Sequence, residues 1–312
     1  MKIIKINENG CGMRIDKFVS KLFPYCKKNF IFQALRTKKI KVNKKKVLPS
    51  YHLANNDSIY IYLNEKKFHE QKTTQKWKLA KNAIDIIYED KNLLIVNKPA
   101  KLVVIDQKDQ KNDTLINRVK LYLYKKKEWD ESNHFVPCLL HRLDTNTKGL
   151  IMVAKNYQTV RILSEKIKNH EIDKYYQCLV YGKFNIVNQE VKAFWFKPKN
   201  GNFVKIAKTK INANYFPIAM NYRVINYDKS KNISHLEIKL ITGKTHQIRA
   251  HLNFLNHPII GEQKYVKKEF KKDTKYKSQC LIATKIYFNF KTNCTYLDYL
   301  KTKIISLKKI IF

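Results

Sequence analysis

Acidic residues are scarce in this chain: 25 Asp+Glu stand against 63 Lys+Arg in 312 residues, a formal net charge of +38. Glycine is sparse too. Its 7 residues form neither a G-x-G-x-x-G fingerprint nor a P-loop, which excludes dinucleotide and nucleotide sites of those kinds. The six cysteines are scattered at 11, 26, 138, 178, 280 and 294 with no CxxC pair, so they read as small buried hydrophobes and not as a zinc ribbon. His246 and His251 are five apart with no Glu between them, unlike the helical zincin spacing. No metal is expected. No apolar run approaches the ~18–20 residues of a membrane span, and the opening MKIIKINENGCGMRID lacks a signal-peptide core. The expectation is a soluble, cytoplasmic protein without a membrane partner.

What is abundant is positive charge, and an excess this large points to a polyanion, most often nucleic acid. Part of it is compositional. Lysine supplies 56 of the cations and arginine 7, with much Asn and Ile, as an AT-rich coding bias produces. Against that bias the rare residues are informative. Two of the 7 arginines are Arg142 and Arg249, and four of the 7 glycines are Gly149, Gly182, Gly243 and Gly261.

Residues 1–50 carry 14 Lys+Arg and 2 Asp+Glu. Within them RIDKFVSKLF places Ile15, Phe18, Val19 and Leu22 at helical spacing, and KKNFIFQALRTKKI predicts a second helix with Ile31, Ala34 and Leu35 inward. IKVNKKKV reads as strand, turn, strand, and NNDSIYIYLN as a further strand. Residues 65–82 are polar and poorly periodic, which suits a linker between a small module over 12–64 and a larger domain over 83–312. From Asp85 onward, IDIIYEDKNLLIVNKPA predicts two strands closed by Lys98-Pro99. A helix is expected over 113–124, a strand over 150–154, a helix over 157–169, strands over 174–182 and 235–243, a helix over 244–256 and a strand over 280–290. Helices are too few for βαβ alternation. The fold class is α+β, with a mixed, mostly antiparallel sheet and flanking helices.

One block concentrates chemistry. HRLDTNTKGL (141–150) crowds His141, Arg142, Asp144, Thr145 and Asn146 into six positions ahead of the apolar run Leu150–Val153. A surface turn is the ordinary reading of such a segment.

The N-terminal stretch 14–47 resembles the S4 (αL) RNA-binding domain, whose second helix and following loop would set Arg14, Lys27, Lys28, Arg36, Lys38, Lys39 and Lys44 along a phosphate backbone. A solvated basic face is the alternative. The rest resembles the RluA/RluC/RluD-type pseudouridine synthases through five blocks in order: IIYEDKNLLIVNKPAKLVV, HRLDTNTKGL, KYYQCLVYG, LITGKTHQIRAHL and HPIIGEQKYV. With the S4 module ahead of them, the closest likeness is to the RluC-like enzymes of 23S ribosomal RNA. The chain departs from the pattern at Lys101 (usually Gly), Lys148 (Ser), Lys244 (Arg), Glu262 (Asp) and Ile282 (His). Lys244 keeps charge but loses bidentate geometry.

The resemblance implies uridine-to-pseudouridine isomerisation in large-subunit ribosomal RNA, by a monomer that needs no cofactor. The N1–C1′ bond breaks and C1′ rejoins the same uracil at C5. An anionic side chain is needed at the ribose. Asp144 suits a nucleophile at C1′, a base at C2′ or a stabiliser of oxocarbenium-like charge, and the residues do not choose among them. The family pattern pairs Arg249 with it, and bidentate geometry explains an arginine surviving in a lysine-biased chain. After C5 bonds to C1′ a proton must leave C5, and the ring-stacking tyrosine that the family uses there maps to Tyr176 by register with Lys174 and Gly182. Neighbours on a strand face opposite ways, so only one of Tyr175 and Tyr176 can reach the site. Arg142 would fill the space of a flipped-out base or hold the flanking phosphate, with His141 and Thr147 beside it against the RNA and Thr147 with Gly149 shaping the turn that presents Asp144. Lys244, Thr245, His246 and Gln247 would meet phosphate at a helix N-terminus. Two other readings stay open. A catalytically dead S4-type ribosome assembly factor would keep the RNA binding alone, and the same chemistry could act on another RNA such as tRNA.

Overall fold

The computed structural model describes the whole 312-residue chain except residues 8–9, 24–25, 64–74, 107–110, 132–134, 199–200, 202, 267–275 and 277. Its first unit is small. β1 (Lys2–Lys5), β2 (Ile40–Val42) and β3 (Ser58–Ile61) form an antiparallel sheet in the order β1-β3-β2, beneath helices α1 (Ile15–Leu22) and α2 (Lys28–Arg36). The helical spacing read from the sequence is the packed face: Ile15, Phe18, Val19, Ile31, Ala34 and Leu35 are all buried. Lysines and Arg36 cover the outside, as an amphipathic stripe requires. The expected strand after the VNKK turn does not extend. Asn43 and Lys44 both take positive φ, a tight reversal of the primed type, but only Val42 and Lys45 bridge across it, and β2 pairs with β3 instead.

The larger unit is built on one mixed sheet. Its strands are β4 (Ile86–Glu89), β5 (Leu93–Lys98), β6 (Cys138–Leu139), β7 (Lys148–Ala154), β8 (Ile172–Tyr181), β9 (Asn188–Phe196), β10 (Lys205–Ala207), β11 (Phe216–Asp228), β12 (Ile233–Leu240), β13 (Leu281–Phe288) and β14 (Ile304–Ser306). The main path runs β10-β9-β11-β12-β8-β13-β7-β5-β4, with β6 on β7 and β14 on β13. Only β13 and β7 pair in parallel. Helices α3 (Leu115–Lys125), α4 (Tyr157–Lys168) and α5 (Gln247–Phe254) flank it. The protein is α+β, as expected.

Both faces of the central strands are buried, which is why β5 and β7 read as unbroken apolar runs. Leu94, Val96, Ile151 and Val153 enter one core with Val119 and Leu252, while Leu93, Ile95, Leu150 and Met152 enter another with Leu163 and Leu297. Of the expected linker 65–82, residues 65–74 lie outside the described residues. Its end is not polar filler: Lys76–Leu79 turn once, Trp77 is buried edge-on to Trp129 at 5.3 Å, and its indole N–H donates to Glu131 at 2.8 Å. Phe135 joins the core of the first unit, with Tyr157 and Val160 packed alongside.

Candidate active site

The acid of the HRLD block is held from below. Lys98, the last residue of β5, is fully buried, and its ammonium donates to the carbonyls of Pro99 (2.9 Å), Leu102 (3.0 Å) and Thr145 (2.8 Å). Thr145 follows Asp144 directly, so one cation ties the turn to the sheet. Burial pulls that ammonium down to about 8, opposed by the charge of Asp144. The turn closes on itself where Thr147 N–H donates to the Asp144 carbonyl at 3.1 Å. Gly149 then lets β7 approach β13: at φ +113° its backbone lies so close that a Cβ would sit 2.1 Å from the Ala283 carbonyl oxygen. Lys101, at the position where the resembling family carries Gly, takes φ +66°, and this explains why glycine suits it.

Asp144 faces Arg249. The guanidinium of Arg249 is shared between two carboxylates. Its Nη1 donates to Asp144 Oδ2 at 2.6 Å, while Nε and Nη2 grip Glu262 at 2.6 and 2.8 Å. Glu262 is buried and Asp144 is a quarter exposed, so the fork is anchored on the hidden acid and presents its remaining arm to the open one. Burial opposes charge on Arg249 and Glu262. The hydrogen bonds to Glu262, and then the charge and hydrogen bond of Asp144, outweigh it and hold the guanidinium above its ordinary value. Arg249 in turn keeps the Glu262 carboxyl below its own, against burial.

His246 caps α5 in the left-handed conformation, φ +54°. Its Nδ1 meets the Tyr265 hydroxyl at 2.6 Å. That hydroxyl also accepts from the Val204 N–H at 3.3 Å. Nε2 lies 3.8 Å from Asp144 Oδ1. Burial lowers the imidazole, with Asp144 opposing, and the ring is neutral at pH 7.

Tyr176 lies on β8 with its ring in the cleft floor, 6% exposed. Burial and the charge of Asp144 push its phenol far above the ordinary range, so it is protonated at any working pH. Tyr175 instead lies beneath the Lys285 ammonium, 3.9 Å from its ring. One cavity of about 1160 Å³ is lined by His141, Arg142, Asp144, Thr147, Tyr176, Lys244, Thr245, His246, Gln247 and Arg249 together. The three residues expected to do chemistry therefore share a cleft with seven of those expected to touch RNA.

Within that group some expectations are corrected. Thr147 is buried, accepting from Gln279 at 2.5 Å, and shapes the turn only. Gln247 is buried too: its oxygen accepts from Lys244 N–H and Thr242, and its amide donates to the Ala219 carbonyl. This side chain caps the α5 entry, which is why the helix starts at Gln247 and not at 244. His141 accepts from Met152 N–H through Nε2, and burial with nearby Lys174 drops its pKa to about 3. It is a neutral strut, not a cation for phosphate. Arg142 is exposed at the cleft edge. Lys244 is exposed with its ammonium over Phe216 and Trp195, and the Thr245 carbonyl accepts from the Trp195 indole. In the first unit Lys27, Lys28, Arg36, Lys38, Lys39 and Lys44 are exposed, and none lines the cleft. Arg14 is bound bidentately by Asp16.

Sequence reasoning missed Lys98, Tyr265 and Lys264, and saw Glu262 only as a departure from a pattern. A lysine ending a strand that opens on the apolar run Leu93–Val96 was the available signal for the first.

The family model described as RNA pseudouridylate synthase matches residues 92–254, and that of the S4 domain matches residues 13–59. An uncharacterized RNA pseudouridine synthase of Mycoplasma genitalium is 32% identical over 283 residues, covering 89% of this chain and 86% of that protein. A ribosomal large subunit pseudouridine synthase C of Rickettsia felis is 34% identical over 284 residues, 88% of each. Among solved structures, human RNA pseudouridylate synthase domain containing 1 shares the fold at TM-score 0.56 and 20% identity, over 73% of this chain and 92% of that one. No helix among the described residues is long and apolar enough to cross a membrane.

Proposed function

The chain belongs to the RNA pseudouridylate synthase family and carries an S4 domain, and from that premise we propose that it isomerises uridine to pseudouridine in large-subunit (23S) ribosomal RNA. In this reading a catalytic domain over 83–312 is joined through 65–82 to the S4 domain over 12–64, and one chain acts alone in the cytoplasm without a cofactor. The observation that carries it is the Asp144–Arg249–Glu262 fork at the floor of a cleft beside Tyr176. The two relatives named as large-subunit or RNA pseudouridine synthases over nearly the whole chain support the substrate class.

The chemistry balances within one nucleotide. The N1–C1′ bond breaks, the uracil turns, C5 bonds to C1′, the C5 proton leaves and N1 gains one. Asp144 supplies negative charge at the ribose as C1′ becomes electron-poor, by attack, by deprotonation at C2′ or by electrostatic stabilisation. Arg249 holds that carboxylate in place through its 2.6 Å hydrogen bond. A uridine paired in folded RNA must be extruded to reach it, and Arg142 at the cleft edge is suited to fill the gap. Tyr176 offers its ring to the extruded base. The exposed lysines of the S4 domain add salt-dependent affinity for phosphate.

The test is tritium release from 23S ribosomal RNA transcribed with uridine labelled at C5, comparing wild type with Asp144→Asn. Release that falls to background in the variant is expected. Release from tRNA but not from ribosomal RNA would replace the target. No release from either, with RNA binding retained, would overturn the reaction and leave an assembly factor.

A further inference from the structure

Two phenylalanines stand exposed on the β9–β11 side of the cleft, each under a lysine. Phe203 is 55% exposed, with the Lys264 ammonium 5.1 Å from its ring centre. Phe216 is 49% exposed, with the Lys244 ammonium 5.0 Å away. Both lysines line the cavity that holds Asp144. The first pair is wired to the reacting end: Phe203 meets Tyr265 edge-on at 6.0 Å, Tyr265 holds His246, and the Arg249 guanidinium lies 5.5 Å from the Tyr265 ring. The second is fixed by Trp195, whose indole binds the Thr245 carbonyl and whose ring also lies beneath Lys244.

Single exposed apolar side chains are ordinary on a protein surface. Two aromatic rings at one cleft, each paired with a cation that borders the same cavity, are a different arrangement. Water does not favour either ring there, and neither ring is needed to fill the small core formed by Ala193, Trp195, Val204, Ile218 and Ala250. A flat π-face beside a mobile ammonium fits one ligand chemistry well, a nucleobase joined to a phosphate. The base stacks on the ring while the lysine swings to the phosphate next to it.

We propose that Phe203 with Lys264 and Phe216 with Lys244 are two stacking stations for unpaired bases that flank the target uridine. They hold the strand open on either side of the extruded nucleotide, and because every base has a π-face they do so with little regard to sequence. The stations would therefore favour targets in loops or in locally opened helices, where neighbouring bases are free to stack. This rests on the proposed RNA substrate and adds to it where the flanking bases go.

The probe is an RNA stem-loop with one loop uridine and 2-aminopurine on its 5′ or 3′ side, whose fluorescence is quenched when the base stacks. With wild type, quenching on both sides is expected. Phe203→Leu or Phe216→Leu keeps apolar bulk and should abolish quenching on one side and weaken binding about tenfold, a typical loss for one stacked base. Phe203→Trp or Phe216→Trp should restore both. Since each ring is exposed, the melting temperature should not change. Absence of quenching with wild type, or leucine variants as effective as phenylalanine, overturns the stations. Tritium release on ribosomal RNA is measured in parallel: release without quenching rejects the stations and keeps the isomerase, whereas quenching without release keeps the stations and rejects the isomerase.

Discussion

Arg249 separates stability from chemistry in a way one pair of substitutions can expose. Replacing it by Met leaves Glu262 buried with no counter-ion, since the side chain of that acid is fully hidden and Arg249 supplies two of its hydrogen bonds. Breaking a buried pair from one side costs about 3–5 kcal/mol. With an unfolding entropy near ~2.1 cal/mol/K per residue over roughly 230 residues of the catalytic domain, that is a fall of about 6–10 °C in Tm. The loss should shrink at low pH. In wild type Arg249 holds the Glu262 pKa below its unfolded value, so this acid stabilises above that value and loses its contribution as pH falls. In Arg249→Met burial, the largest influence, is opposed only by the backbone N–H groups of Lys264 and Tyr265, so the Glu262 pKa rises and the folded state recovers on acidification. Adding Glu262→Met removes the orphaned charge, and an apolar pair of similar volume should return Tm to within about 2 °C of wild type. Activity should not follow. Asp144 still lacks its cation in the double variant, and tritium release should stay down about 100- to 1000-fold, the scale of one lost electrostatic partner. Thermal melts and single-turnover release on the same three proteins decide it. A single variant within about 1 kcal/mol of wild type, a double variant with no thermal rescue, or one that regains activity would refute the reasoning.

Three further outcomes are expected. The pH profile of kcat/KM should turn down above about 8, where the Lys98 ammonium loses a proton and one of its three carbonyl contacts, and Lys98→Met should be slower with that limb absent. An unchanged limb in the variant would show that Lys98 is not its source. The stability contribution of Lys98 has the opposite slope, rising between about 8 and 10.5, because the unfolded chain keeps the proton longer. Gly149→Ala should cost more than about 3 kcal/mol, because β7 and β13 must separate to admit the methyl group at a positive φ; a denaturation curve within about 1 kcal/mol of wild type would contradict that close approach. His141 and His251 titrate near 3 and 4 in the folded protein, well below the usual 6.5, so the unfolded state binds more protons between those values. Stability should therefore fall from pH 6.5 towards 4, by about 2 kcal/mol for each histidine between 6.5 and 5. Equal urea midpoints at pH 7 and pH 5 would count against it, and His251→Phe should remove about half of the dependence.

The sequence spoke clearly where a local pattern decides structure. The period of 3.6 in RIDKFVSKLF and the continuous apolar runs of β5 and β7 gave helix and buried strands; alternation said that only one of Tyr175 and Tyr176 can face the cleft, and the resembling block's register chose Tyr176. Asp144 and Arg249, 105 residues apart, were joined on resemblance, and their ion pair measures 2.6 Å. Other parts depend on contacts no local pattern holds. The long strands β9 and β11 passed unread because they alternate only in part and carry exposed polar residues and Pro217. Glu262 and Lys98 look like ordinary charges in a chain full of them; only the fold buries one against Arg249 and the other against three carbonyls. Gln247 misled because residues that shape a cleft and residues that face it are written in the same polar letters; Thr147, expected both to touch RNA and to shape the turn, does the second.

The strand order has a consequence for how the protein comes into being. Asp144 precedes β7 and Tyr176 lies on β8, yet these two strands never touch: β13, residues 281–288, is wedged between them. A chain emerging from the ribosome has its S4 domain complete, and its basic rows exposed, more than 200 residues before the wedge is made. Until then the floor of the cleft has no middle, and acid and ring have no fixed separation. Affinity for RNA is thus the first property the growing chain acquires and reactivity the last, and a product truncated before residue 281 would bind RNA and leave it unchanged.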